Sequence, residues 1–296
     1  MAILEINHLD KSFGPVHAVN GLSLQIESGQ VYGILGPNGS GKTTTLAMVL
    51  GIIRPDSGNY LWFGQPDQPS LHRLIGALIE TPNFYPYLNL VQNLRLVCRI
   101  KEIDPVEISR VLDIVDLSER RHSRFQTLSY GMKQRLVLAS VLLGDPKVLV
   151  LDEPANGLDP EGIAEVRAII RKESIRGKTI IIASHILDEV EKVCSHVAIL
   201  KRGKLLVSGE VGKLLKGERL MVISSPDTEK LRAFLDKYPA IGKYNVVKND
   251  FIVILDAGVD ITSISRDLMK NGIVVSKLEE KKQSLEDQFL ELVNQS

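Results

Sequence analysis

Residues 36–43 read Gly36-Pro37-Asn38-Gly39-Ser40-Gly41-Lys42-Thr43 and follow directly on the apolar run Val31-Tyr32-Gly33-Ile34-Leu35. The pattern predicts a strand opening into a glycine-rich loop and then a helix, Thr44-Thr45-Leu46-Ala47-Met48-Val49-Leu50. Glycines let backbone N–H groups turn inward around an anion, and the positive end of the following helix points at the same spot. In such a loop Lys42 reaches the β- and γ-phosphates and the Thr43 hydroxyl holds Mg²⁺. Gly36 through Thr43, with Thr44 at the helix start, form the candidate nucleotide-binding segment. The octet between strand and helix implies a site for a nucleoside triphosphate.

The composition fits a globular protein. A chain of 296 residues is long enough for about two domains. It is 44% hydrophobic and 24% charged, with acidic and basic residues balanced at 36 each. That balance provides no global field favouring nucleic acid, and none is expected as a partner. Cys98 and Cys194 are the only cysteines, lie far apart and match no metal-ligand spacing, so they read as reduced and structural. The start MAILEINHLD lacks a basic segment followed by an apolar core, so no signal peptide is expected. No uninterrupted apolar run reaches the ~18–20 residues of a membrane span. A role at the membrane would therefore come through a partner.

Along the chain, Ala2–Ile6 and Leu22–Ile26 alternate as short strands, and Tyr60–Phe63 is another strand candidate. From about Leu88 to Leu143 the spacing turns helical, as in Ile108, Val111, Leu112, Val115 and Leu117. Strands return at Val148–Leu151, Ile180–Ala183 and Val197–Leu200, whose near-continuous apolar runs suit a parallel sheet buried on both faces. Past Gly212 the order reads strand Arg219–Ser224, helix Thr228–Asp236, strands Asn245–Val247 and Phe251–Leu255, helix Ile261–Met269 and strand Ile273–Leu278. A last helix opens at Ser284. This is the split β-α-β-β-α-β pattern of a small α+β, ferredoxin-like domain. It carries no catalytic constellation.

Two further motifs narrow the chemistry. Val148–Leu151 ends in Asp152-Glu153-Pro154, which places two acids at the carboxyl end of a buried strand, the edge where such sheets bind ligands. Asp152 suits the Mg²⁺ shell, and Glu153 can polarise a water toward the γ-phosphate as a general base. Shortly before them, Leu128-Ser129-Tyr130-Gly131-Met132-Lys133-Gln134-Arg135 opens a helix, with Ser129 and the free N–H of Gly131 as a second anion site.

In this order the motifs resemble the ATP-binding subunit of ABC transporters, over residues 1 to about 215. The resemblance implies an α/β fold: a P-loop NTPase core with a β-rich N-terminal subdomain and a helical insert. It places the ATP-binding domain at 1–216, with the helical subdomain at about 85–145, and leaves 217–296 as the accessory domain. Leu128–Met132 matches the LSGGQ signature, departing from it at Tyr130 and Met132 and keeping Ser129 and Gly131. Phe13 sits where the family stacks an aromatic on adenine, Asp159 in Asn156-Gly157-Leu158-Asp159 at the dimer contact, and His185 at the switch histidine that joins Lys42 and Glu153 in catalysis. Where the family carries a glutamine that meets Mg²⁺ and the membrane subunit, this chain has Glu80. The segment Glu80–Pro86 is similar to that of the bacitracin-exporter and lantibiotic-immunity branch.

The resemblance further implies ATP and Mg²⁺ as cofactors and a head-to-tail dimer with a second copy of the chain. A separate transmembrane permease is the implied partner, holding the subunit at the cytoplasmic face of the membrane, for export of a drug or antibiotic peptide. An ABC-superfamily ATPase of DNA repair or translation is a different reading. Repair members insert a long coiled coil, and translation members join two ATPase units in one chain. Neither feature is visible here. A nucleotide-gated regulatory module that hydrolyses little is a third reading, opposed by Glu153 and His185.

Overall fold

The chain opens on two twelve-residue strands, β1 (Ala2–Phe13) and β2 (Val16–Glu27), paired antiparallel. The sequence pattern marks only Ala2–Ile6 and Leu22–Ile26 of this ribbon. Register shifts beyond Ile6 interrupt the alternation on which a period-two reading depends. The computed structural model describes residues 1–79, 84–214, 219–238, 241–247, 249–255 and 259–282.

Next come β3 (Val31–Leu35), α1 (Lys42–Val49), β4 (Ser57–Trp62), β5 (Gln65–Pro66), the single turn α2 (Pro69–His72) and β6 (Ile75–Leu78). The helical segment follows as α3 (Leu90–Lys101), α4 (Glu107–Ile114), two 3₁₀ turns at Ser118–Arg120 and Phe125–Thr127, and α5 (Tyr130–Leu142). Asn89 and Gln92 form a reciprocal capping box at the start of α3, which fixes where this segment begins. The chain then runs through β7 (Val148–Asp152), α6 (Pro160–Ile175), β8 (Thr179–Ser184), α7 (Leu187–Val193), β9 (His196–Lys201) and β10 (Lys204–Glu210).

These elements form one compact unit, Met1–Glu210, containing two sheets. The antiparallel sheet has the order β2-β1-β4-β5, and the six-stranded sheet the order β10-β9-β3-β8-β7-β6. All strands of the second sheet run parallel except β10, which pairs antiparallel with β9. Every residue of β3, β7 and β8 is buried, as their unbroken apolar runs require of strands covered on both faces. Trp62 ties the antiparallel sheet to α1: its buried indole N–H donates to the Val49 carbonyl at 2.6 Å.

The second unit begins at Val211. It holds the short turn α8 (Val211–Leu214), β11 (Arg219–Ser224), α9 (Thr228–Leu235), β12 (Ile241–Val247), β13 (Asp250–Leu255), α10 (Ile261–Lys270) and β14 (Lys277–Lys282). Its antiparallel sheet has the order β12-β13-β11-β14. Met221, Ile223, Phe251 and Val253 of the sheet pack against Leu231, Leu235, Ile264 and Leu268 of the helices. The last strand is Lys277–Lys282 and not the Ile273–Leu278 of the apolar pattern. Ile273 N bonds to Leu268 O at 3.0 Å and so closes α10, while the edge strand is the charged stretch that follows. Charges on an edge strand discourage further pairing, and they hide it from a hydrophobicity reading. The helix expected from Ser284 lies outside the described residues.

At the edge of the parallel sheet where β7 and β8 begin, Lys178 Nζ donates to Asp145 Oδ1 and to Pro146 O, both at 2.6 Å. It lies 3.8 Å from the fully buried Glu173, which also receives Arg176 at 2.7 Å. The hydrogen bond from Lys178, reinforced by its charge, holds the Asp145 carboxyl below the usual carboxylate range. A depressed folded pKa gives stability that is complete above the ordinary value near 4 and is lost as pH falls through the folded value. Asp145→Asn is therefore expected to lower the melting temperature at pH 7 by no more than about 4 °C. The gap between variant and parent should close in melts run progressively below pH 4.

Candidate nucleotide site

After β3 the backbone doubles back tightly enough to exclude side chains. A Cβ on Gly36 would lie 2.4 Å from the Leu200 carbonyl, and one on Gly41 2.3 Å from that of Ala18. Gly41 also takes φ 101°, a value that L side chains rarely adopt. Carbonyls of β9 and β2 thus fence the loop. Gly203 N donates to Ser40 O at 3.0 Å and Asn20 N to Gly203 O at 2.9 Å, which extends the fence. The Lys42 side chain is buried and folds over the loop, donating to Gly36 O at 2.8 Å and Pro37 O at 3.3 Å.

Among the described residues, the N–H groups of Gly39, Gly41, Lys42, Thr43 and Thr44 make no backbone hydrogen bond. No side chain of the described residues caps α1. A row of unpaired donors at a helix start, beside a buried ammonium, is an anion cradle. Asn38 and Gly39 sit at its exposed rim, and the buried Ser40 hydroxyl has no hydrogen-bond partner among the described residues.

The end of β7 supplies the acids. Thr43 Oγ1 donates to Asp152 Oδ2 at 2.6 Å, while Asp152 Oδ1 is buried without a hydrogen-bond partner among the described residues. Burial raises the Asp152 pKa, with the Glu153 charge adding and the Thr43 hydrogen bond opposing. An orphaned carboxylate oxygen next to a hydroxyl is a hard oxygen donor set that suits Mg²⁺. Glu153 has φ 47°, which turns its side chain away from that of Asp152. Its oxygens each lie 2.9 Å from His185 Nδ1, and Oε1 lies 3.8 Å from Lys42 Nζ. Lys42, Thr43, Asp152, Glu153 and His185 therefore meet in one cluster.

Ser129, Gly131 and Asp159 are elsewhere. With Tyr130, Met132 and Gly157 they line a second groove, to which no residue of the phosphate loop contributes. Ser129 caps α5, its hydroxyl accepting from Met132 N at 3.2 Å, and Asp159 caps α6 by accepting from Gly162 N at 2.9 Å. A Cβ on Gly131 would meet nothing within 4 Å. Packing within the chain therefore does not require glycine there. Phe13 is half exposed at the tip of the β1–β2 ribbon, with Lys11 Nζ 5.5 Å from its ring centre. Glu80 lies outside the described residues.

Sequence reasoning gave no role to Gln134, whose buried amide donates to Pro154 O at 2.8 Å and joins α5 to the acid-bearing loop. Its spacing of four residues from Tyr130 was the available signal.

Comparison with known proteins decides the family. The family model described as ABC transporter matches residues 19–156. The bacitracin transport ATP-binding protein BcrA of Bacillus licheniformis is 36% identical over 297 residues, covering 98% of this chain and 97% of the relative. The chain belongs to the ABC transporter ATP-binding family. The BcrA protein of Enterococcus faecalis is 32% identical over 98% of this chain and 96% of its own length. Among solved structures, cbiO1 of Clostridium perfringens, part of the ABC transporter complex cbiONQ, matches with TM-score 0.67 and 27% identity. That match covers 80% of this chain and 96% of cbiO1. As a family member the chain is an ATP-binding subunit and an ATP hydrolase.

The two glycines separate packing from chemistry. Gly41→Ala is expected to destabilise the chain by about 1–3 kcal/mol through backbone strain and the Ala18 contact. Gly131→Ala, in the first turn of a helix with open space around it, should leave stability unchanged or raise it by up to about 1 kcal/mol. Thermal melts and denaturant midpoints of the two variants check the contrast.

Proposed function

We propose that this chain closes head to tail with a second copy over two ATP molecules and so drives a separate membrane-spanning partner. The observation that supports this reading is the separation, within one chain, of two helix starts suited to an anion. The start of α1 has its lysine and acids, whereas the start of α5 has Ser129 and an unobstructed Gly131 facing outward. A dimer brings the second set of one chain to the first set of the other, with Asp159 crossing at the contact.

The loop N–H groups and Lys42 hold the β- and γ-phosphates, and Phe13 stacks on the base. Thr43, Asp152 and, on the chemistry of its carboxylate alone, Glu80 would hold Mg²⁺, which would neutralise charge on the phosphate oxygens. Glu153 accepts a proton from the attacking water. The water oxygen bonds to the γ-phosphorus as the bond to the β–γ bridging oxygen breaks, releasing ADP and phosphate. His185 holds the Glu153 carboxylate in place. Loss of the γ-phosphate removes the contact that favoured closure, and the dimer reopens.

No helix among the described residues is long and apolar enough to cross a membrane. We assign the transport path to a permease chain, with this subunit at the inner face of the membrane. Near full-length similarity to two bacitracin transport ATP-binding proteins supports export of a drug or antibiotic peptide.

Lys42→Ala is expected to lower ATP turnover at least about 100-fold, in keeping with removal of one preorganised charge from the phosphates. Glu153→Gln should bind ATP, fail to hydrolyse it and accumulate as a dimer in sizing experiments with ATP and Mg²⁺. Purification from detergent extracts should bring down a multi-span membrane protein. A chain that stays monomeric with ATP and comes down alone refutes the reading.

A further inference from the structure

Helix α5 touches the loop after Glu153 at two points one turn apart. Gln134 Nε2 donates to the Pro154 carbonyl at 2.8 Å, and the Tyr130 hydroxyl donates to the Asn156 carbonyl at 3.3 Å. The Tyr130 ring also covers Gly157, where an added Cβ would lie 3.4 Å from it. Positions 130 and 134 share one face of the helix, so that face carries the carbonyls of a loop beginning directly after the general base. At the other end of the linkage, Tyr130 stands between Ser129 and Gly131 in the outward groove. Movement of the first turn of α5 toward an anion is thereby passed to residues 154–157. Glu153, at φ 47° and with its N–H bonded to Ala183 O at 2.9 Å, has little freedom to absorb that movement.

We propose that Tyr130 and Gln134 are positioning residues that couple the two anion sites of one chain, so that a triphosphate held by the partner copy against Ser129 and Gly131 sets the Glu153 carboxylate in the same chain. The inference rests on the head-to-tail reading above. Where the signature this motif resembles has glycine at the third position, no side chain is available for the outer contact. Tyrosine here adds a second point of attachment and makes the response to ATP steeper.

The test compares the parent, Tyr130→Phe, Gln134→Met and the double variant, with the same changes repeated on Glu153→Gln. Measurements are ATP turnover against ATP concentration, affinity for a fluorescent ADP analogue, melting temperature and ATP-dependent dimerisation. Tyr130→Phe keeps the ring and loses one hydrogen bond, so kcat should fall about threefold and the Hill coefficient should move toward 1. The double variant should lose about tenfold in kcat. Binding of the ADP analogue should stay within about twofold of the parent, and melting temperature should hold in Tyr130→Phe. Unchanged kcat and Hill coefficient in a double variant that still dimerises overturn the linkage alone. Losses that track ADP affinity or melting temperature also overturn it, since they reduce both residues to packing. A Glu153→Gln chain that never dimerises with ATP overturns the head-to-tail reading, and the linkage with it.

Discussion

The ammonium group of Lys42 is a buried charge on which the geometry of the phosphate loop depends. It is about 5% exposed, and an isolated buried charge of this kind costs several kcal/mol. Two carbonyls of its own loop, at 2.8 and 3.3 Å, and Glu153 at 3.8 Å supply the compensation. To offer those carbonyls the loop must fold back on itself, which confines Gly36 and Gly41 to glycine. To offer the carboxylate, β7 must end beside the loop with only β8 between it and β3. The ribbon of β1 and β2 completes the arrangement by pressing Ala18 against the outer side of the turn.

The same ammonium makes the acid pair tolerable. Asp152 and Glu153 are adjacent in sequence; burial raises the Asp152 pKa and the Glu153 charge adds to that rise. Opposite backbone conformations direct one carboxylate to Thr43 and the other to His185 and Lys42. A single cluster thereby holds one acid suited to a hard cation and a second suited to a proton.

The core of this arrangement was legible in the sequence because its information is local. The loop, its flanking strand, the acid-ended strand and Ser184-His185 each occupy a few consecutive residues, and continuous apolar runs betray strands buried on both faces. What was hidden depends on distant partners. The fence of the Ala18 and Leu200 carbonyls and the Gly203 N–H is made by backbone from two distant parts of the chain, and backbone groups leave no mark in a sequence. Gln134 lies in the motif that opens α5, yet its buried contact with Pro154 exists only once α5 lies against the acid-bearing loop. β14 escaped for a different reason: an edge strand of lysines and glutamates violates the pattern by which strands are recognised.

Glu153 holds its left-handed backbone without the excuse that glycine has. Conformations of this kind cost on the order of 1–3 kcal/mol in a residue with a side chain, and the surrounding bonds to Ala183 and His185 enforce this one. The acid we propose as general base is thus also a point of standing discomfort in the fold. On that proposal, inactivity and robustness point the same way at this position, because glycine would relax the chain as it removed the proposed base. A lineage released from the need to hydrolyse ATP would drift toward a sturdier, silent form, and only continued use keeps the strained carboxylate in place.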